Sequence, residues 1–136
     1  YTLPIGVSSL TDTIVGSREN GTIYYTPTIN VIYNKLSRAD QAEIKLLGAT
    51  KTVVFAELNQ TLANGHNVIT AMGMVNGMQL NAGTMDTGAA WGDRNGYSLT
   101  FDGMETEPFA MMVDYTAIPF DNADAGAQIP IISTDL

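Results

Sequence analysis

Few residues in this chain are able to do covalent or metal chemistry, and their spacing suits it poorly. His66 is the single imidazole and there is no cysteine, which excludes thiolate nucleophiles, disulfides and Cys-based metal centres. A zinc site needs three or four ligands, and only carboxylates could join His66. A Ser–His–Asp triad would depend on the same imidazole, and no Gly-x-Ser-x-Gly elbow is present. No phosphate-cradling glycine loop follows a strand pattern. Beside the Asn64-Gly65 pair, His66 reads as a water-exposed turn residue.

Two carboxylate groupings remain. Asp93-Arg94-Asn95-Gly96 opens like a calcium loop, but the next ligand position is Tyr97 and the twelfth is Met104, so the EF-hand pattern fails. An irregular site from Asp93, Asn95 and Asp102 is the one metal candidate. Glu105 and Glu107 would project to one side of a strand, as a glycosidase pair does. They lie in a turn-like Gly-Met-Glu-Thr-Glu-Pro stretch without an aromatic platform, which favours a solvated turn. The expectation is a non-enzymatic protein with no cofactor.

Composition narrows the classes further. Of 136 residues, 45% are apolar and 15% charged, with a net charge of −8. There is ample apolar material for a core, so a disordered polyampholyte is excluded. The charge is unevenly placed: residues 1–85 hold five acids and five bases, whereas residues 86–136 hold nine acids against Arg94. Such a chain lacks the basic face that a groove-reading nucleic-acid binder requires. No run reaches 18 apolar residues, so no membrane-spanning helix is expected. The chain begins at Tyr1 rather than Met, and removal of an upstream segment is expected.

The elements that must position these residues are mostly strands. From Thr22 to Tyr33, Ile23, Tyr25, Ile29, Val31 and Tyr33 alternate with Tyr24, Thr26, Thr28 and Asn30, the period of a strand. Pro27 cannot donate to a ladder, which predicts a sheet edge or a bulge there. Thr52–Leu58 reads as a buried strand, and Val68–Val75, Met78–Leu80, Tyr97–Phe101 and Phe109–Ile118 complete the set. Four Asn-Gly pairs, at 20–21, 64–65, 76–77 and 95–96, are hairpin signals; at least two are expected to be hairpin turns, with 76–77 the cleanest.

One helix interrupts the strands. Ser37 is its expected cap with Asp40 as capping partner. Ala39, Ala42, Leu46 and Leu47 form its stripe, with Glu43 intruding. Lys45 suits the last turn and Gly48 the left-handed stop. The fold class is therefore mainly β, a β-sandwich or small barrel, with one short α-helix at about 37–47. Residues 1–120 are expected to form a single β-rich domain with a flexible arm at about 81–93, and residues 121–136 an extended acidic tail ending in apolar Ile129, Ile131 and Ile132.

Contact surfaces are suggested by seven methionines and six tyrosines, residues suited to adaptable cores and interfaces. Tyr24, Tyr25, Tyr33, Trp91, Ile129, Ile131 and Ile132 are the candidate subunit-interface residues. Asp86, Asp93, Asp102, Glu105, Glu107 and Asp114 are the candidate acidic lumen or surface.

Two segments carry a family resemblance. SRENGTIYYTPTINVIYNKLSRADQAEIKLLGATKTVVF, at 17–55, resembles structural proteins of tailed bacteriophages and prophages of Bacteroidales-type bacteria. There a turn and long strand lead into an S-x-x-x-x-x-E-[IL]-K-L-L helix and a hydrophobic strand. NGMQLNAGTMDTGAAWGDRNGYSLTFDGMETEPF, at 76–109, is similar to their C-terminal region, with its G-D-x-N-G-Y-x-[LI]-T-[FL] signature before a Glu-Pro turn. The matching positions are Gly92, Asp93, Asn95, Gly96, Tyr97, Leu99, Thr100, Phe101, Glu107 and Pro108.

The resemblance implies a virion building block, foremost a major tail tube protein located in the virion tail. Its partners would be copies of itself in stacked hexameric rings, other phage tail proteins, and DNA passing without specific binding; no membrane is implied. An acidic lining that repels phosphate fits this expectation. The alternatives are a head decoration or fibre protein of a phage, and a calcium-assisted carbohydrate-binding module.

Overall fold

The computed structural model describes residues 6–63 and 65–112. In chain order they form β1 (Ser9–Ser17), β2 (Thr22–Asn34), α1 (Arg38–Ala49), β3 (Val54–Thr61), β4 (Asn67–Met72), β5 (Gln79–Asp86), β6 (Gly96–Asp102) and β7 (Ala110–Met112). The chain is mainly β, with two antiparallel sheets and a single helix, the elements of a β-sandwich-like fold. The described residues group into two compact units, 6–54 with 72–109 and 55–71 with 110–112.

The first unit holds the four-stranded sheet β1-β2-β6-β5. Its covered face follows from the alternation in β2: Pro27, Ile29 and Val31 are buried, and opposite them in β6 lie buried Phe101 and Leu99. Tyr97, fully buried, pairs with Tyr33 and ties this face to the helix. Its hydroxyl accepts the Ser37 N–H at 3.3 Å and donates to the Ser37 carbonyl at 3.1 Å.

Pro27 was expected at an edge or bulge, but β2 is an inner strand, flanked by β1 and β6. The register explains how the sheet tolerates it. Thr28 pairs with Asp102 and Tyr25 with Glu105, so Pro27 faces Gly103. The Gly103 N–H donates to the Pro27 carbonyl at 3.2 Å, and proline has no N–H to return. The regular ladder therefore stops at Asp102 and is taken up again only at the Tyr25–Glu105 bridge.

Residues 81–86, expected in a flexible arm, form most of β5 and pair with β6, with a bulge between Leu80 and Ala82. Their small size is a packing requirement. A Cβ at Gly83 would lie 2.8 Å from Leu99 Cδ2 and 3.0 Å from the Ser98 carbonyl. Only residues 87–95 remain as a loop between β5 and β6.

The helix starts where its cap dictates. Ser37 Oγ accepts the Asp40 N–H at 3.1 Å and donates to Asp40 Oδ2 at 2.6 Å. Its end differs from expectation: Gly48 stays helical, and Thr50 caps in an extended conformation, its hydroxyl donating to the Leu46 carbonyl at 3.1 Å. The last turn carries no basic residue, so Lys45 falls short of it. The face turned inward is Asp40, Glu43, Ile44 and Leu47, each half-buried, while Ala39, Ala42 and Leu46 are exposed. The intruding Glu43 thus lies on the packed face, and no helix residue is fully buried.

The second unit holds the sheet β3-β4-β7. In β4, Val68, Ile69, Thr70 and Ala71 are all buried, and the Thr70 hydroxyl is satisfied by the Ala56 carbonyl at 3.1 Å. β3, expected to be buried, alternates between half-buried and exposed residues. The Phe109–Ile118 strand is described as β7, and the remainder of it lies outside the described residues.

Asn20-Gly21 falls in the β1–β2 connection, a hairpin, and Gly65 in the β3–β4 connection, while Asn64 lies outside the described residues. Asn76-Gly77, expected as the cleanest hairpin, instead joins β4 to β5, which belong to different sheets. Asn95-Gly96 closes the long β5–β6 loop.

Candidate functional site

The most distinctive surface is the open face of the four-stranded sheet. Strand register places opposite residues on the same face, and Thr11 pairs with Thr28, Thr13 with Thr26, Asn30 with Thr100 and Ser98 with Thr84. The result is a ladder of hydroxyl and amide groups, open or half-open to solvent. The Thr100 hydroxyl donates to Asn30 Oδ1 at 2.7 Å. Asp86 and Asp102 are the carboxylates on this face, and no Lys or Arg of the four strands projects from it. Hydroxyls paired with one another this way stiffen a sheet and offer no charge to an anion.

At one end of this sheet, residues 87–95 are held by two carboxylates. Asp86 Oδ1 accepts the Gly88 N–H at 2.9 Å. Asp93 Oδ2 accepts Ala89 N–H at 2.8 Å and Ala90 N–H at 2.7 Å. These two bonds, Ala90 first, hold the Asp93 carboxyl below the ordinary aspartate range despite a small opposing desolvation. Trp91 stands on the loop so fixed and is fully exposed, at 108% of its reference area.

At the other end, Glu105 is 6% exposed. Its carboxylate accepts Val75 N–H at 3.2 Å and Asn76 N–H at 3.0 Å, while the Asn76 side chain donates to the Met104 carbonyl at 2.8 Å. This corrects the expectation of a surface or lumen acid in a solvated turn: the charge is consumed in shaping the 73–77 turn. Glu107, two residues on, is exposed. Glu105 therefore has no partner role with Glu107 of the kind a glycosidase pair needs.

The metal trio is not brought together. Asn95 precedes β6 and Asp102 ends it, which sets them about 20 Å apart at strand rise. Asp102 instead accepts the Asn81 amide at 2.7 Å. Among the described residues no group of three His, Asp or Glu could hold a metal ion. His66 is half-buried rather than open to water, and its carbonyl accepts the Leu62 N–H at 2.7 Å.

The candidate interface residues divide between surfaces. Tyr24 is exposed on the open face, whereas Tyr25 and Tyr33 are half-buried on the covered one. Burial, then the nearby Asp40 charge, raises the Tyr33 hydroxyl above its ordinary pKa. Ile129, Ile131, Ile132 and Asp114 lie outside the described residues. Sequence reading missed the hydroxyl ladder, although its signal was present as Thr-x-Thr at 11–13 and again at 26–28. No family model, curated protein or solved structure matches the chain.

Proposed function

We propose that this chain is a non-enzymatic virion structural protein, a phage tail tube subunit that assembles with copies of itself into stacked rings around a DNA channel. The observation that carries the reading is the open sheet face without Lys or Arg. A conduit for DNA must not retain phosphate, and each cation on its wall would add a salt-dependent hold. A wall of hydroxyl and amide side chains with two carboxylates is neutral to slightly repulsive along its length. The resemblance of 17–55 and 76–109 to phage structural proteins supports the same reading.

The two edges of the four-stranded sheet are β1 and β5. An open edge is a template for another chain, and pairing of unlike edges between copies forms a ring when the rotation from copy to copy closes. Negative-stain images of the purified protein, together with sedimentation over a range of concentrations, test the proposal. Rings or tubes are expected. A particle that stays monomeric at every concentration overturns it.

A further inference from the structure

We propose that Asn20 is a site of spontaneous covalent modification: the backbone nitrogen of Gly21 displaces its side-chain amide as ammonia, and water then opens the resulting ring to aspartate and isoaspartate. The chemistry needs only the folded chain and water, whatever that chain assembles into.

The Gly21 nitrogen, once its proton has passed to hydroxide, attacks Asn20 Cγ. A C–N bond forms, the Cγ–Nδ2 bond breaks, and Nδ2 takes a proton from water and leaves as ammonia. The five-membered succinimide then takes up water. Cleavage at Cγ gives aspartate, and cleavage at the main-chain carbonyl gives isoaspartate, whose backbone runs through Cβ and Cγ. Nothing is oxidised or reduced. Attack within one chain is fast only where nucleophile and carbon can meet, and glycine has no side chain to stand in the way.

Three Asn-Gly pairs lie wholly within the described residues, and the fold separates them. Asn20 and Gly21 are both exposed, and nothing lies within 4 Å of where a Cβ on Gly21 would stand. Among the described residues neither the Asn20 side-chain amide nor the Gly21 N–H is hydrogen-bonded. The Asn20 N–H donates to Ser17 Oγ at 3.4 Å. The turn also ends a projection, since past the Tyr25–Glu105 bridge the described residues of β1 and β2 pair only with each other. A two-stranded ribbon is marginal by itself, and its tip opens at little cost.

The other two pairs are tied down. The Asn76 side chain donates to the Met104 carbonyl at 2.8 Å and its N–H to Glu105 Oε1 at 3.0 Å. Gly77 packs so closely that a Cβ there would lie 2.9 Å from Lys51 Cβ. The Asn95 carbonyl accepts the Lys35 N–H at 2.6 Å, and Gly96 is buried between Asn34 and Asp86 in the sheet. These contacts must give way before the ring can close, which slows attack at Asn76 and Asn95 at least about tenfold relative to Asn20. Conversion at Asn20 places a negative charge in the half of the chain, residues 1–85, whose acids and bases otherwise balance. Isoaspartate also lengthens the backbone of a turn that depends on Gly21 at φ +64°.

The intact protein is incubated at mildly alkaline pH, once folded and once in urea. Conversion at each asparagine is followed by peptide mass spectrometry, with electron-transfer fragmentation to identify isoaspartate. In the folded protein Asn20 should convert at least about tenfold faster than Asn76 or Asn95. In urea the three rates should converge, because only the shared local sequence remains. The folded rate at Asn20 should rise with pH, since the attacking nitrogen must first lose its proton. Asn20→Gln, which would need a six-membered ring, should abolish the change at this position. Folded Asn20 converting no faster than the other two overturns the proposal. So does an equal preference for Asn20 in urea, or an acidic form of Asn20→Gln that accumulates as fast as that of the parent.

Discussion

The Oε1 atom of Glu105 accepts the backbone N–H of Asn76 at 3.0 Å, and Oε2 takes the neighbouring Val75 N–H at 3.2 Å. One buried carboxylate thereby closes a turn that would otherwise present two unpaired donors. Hydrogen bonds to a charged acceptor are among the stronger ones. Glu105→Ala should therefore cost about 3 kcal/mol of stability, while Glu105→Gln, which keeps one acceptor oxygen, should cost about 1–2 kcal/mol. Urea unfolding of the three proteins checks this order. Equal midpoints for all three would remove the structural role assigned to the carboxylate.

Gly96 begins β6 beside Tyr33 and Asn34 of β2, and a Cβ there would run into the Tyr33 carbonyl. Gly92, only four residues earlier, has open space around it. Gly96→Ala should destabilise by about 2–3 kcal/mol because the backbone must shift to admit the methyl group. Gly92→Ala should stay within about 0.5 kcal/mol of the parent. Thermal melts of the pair read the difference directly, and a tolerant Gly96 would mean that the strands are not so closely apposed.

These two sites show what was legible in the sequence. The Ser37 cap could be read because capping depends on residues three apart, and β2 because its alternation spans the whole strand. β1 was missed because Asp12 occupies an inward position, where its Oδ2 accepts the Phe109 N–H at 3.1 Å. A carboxylate on the covered face breaks the apolar alternation that marks a strand. Glu105 was misplaced for the same reason: its partners, Val75 and Asn76, are about thirty residues away. The small residues of 81–86 looked like an arm, since nothing local tells that Gly83 abuts Leu99. Of the candidate site, the acids and Trp91 were visible as residues, but the cation-free face exists only once the strand register is known.

The Asp93 carboxyl lies below the ordinary aspartate range because it accepts two backbone N–H groups of its own loop. A folded-state pKa that is depressed contributes order that is present above the unfolded value and lost as pH falls through the folded one. The 87–95 loop should thus keep its shape through neutral and mildly acidic pH and loosen only below the usual aspartate range. Amide resonances of Ala89 and Ala90 should titrate together with the Asp93 carboxyl, at a midpoint lower than that of an aspartate in an unfolded peptide. In Asp93→Asn that joint titration should vanish. Amides that titrate at the ordinary value would mean that the two bonds do not form in solution.

The cation-free face leads to a prediction about DNA itself. Thr11, Thr13 and Thr84 are exposed on it, so lysines there should alter stability by no more than about 0.5 kcal/mol each. Each lysine that meets a phosphate releases a counterion, and the logarithm of affinity then falls with the logarithm of salt at a slope of about −0.9 per contact. The parent protein should leave duplex DNA unretarded at low salt. The triple variant Thr11→Lys, Thr13→Lys, Thr84→Lys should bind it weakly, with a slope between about −2 and −3. The comparison isolates the face, because everything else in the chain is unchanged. If the parent already bound duplex DNA with a comparable slope, phosphate would be held by this protein as it stands. A wall that grips its cargo cannot serve as a conduit, and the tail tube reading would fall with it.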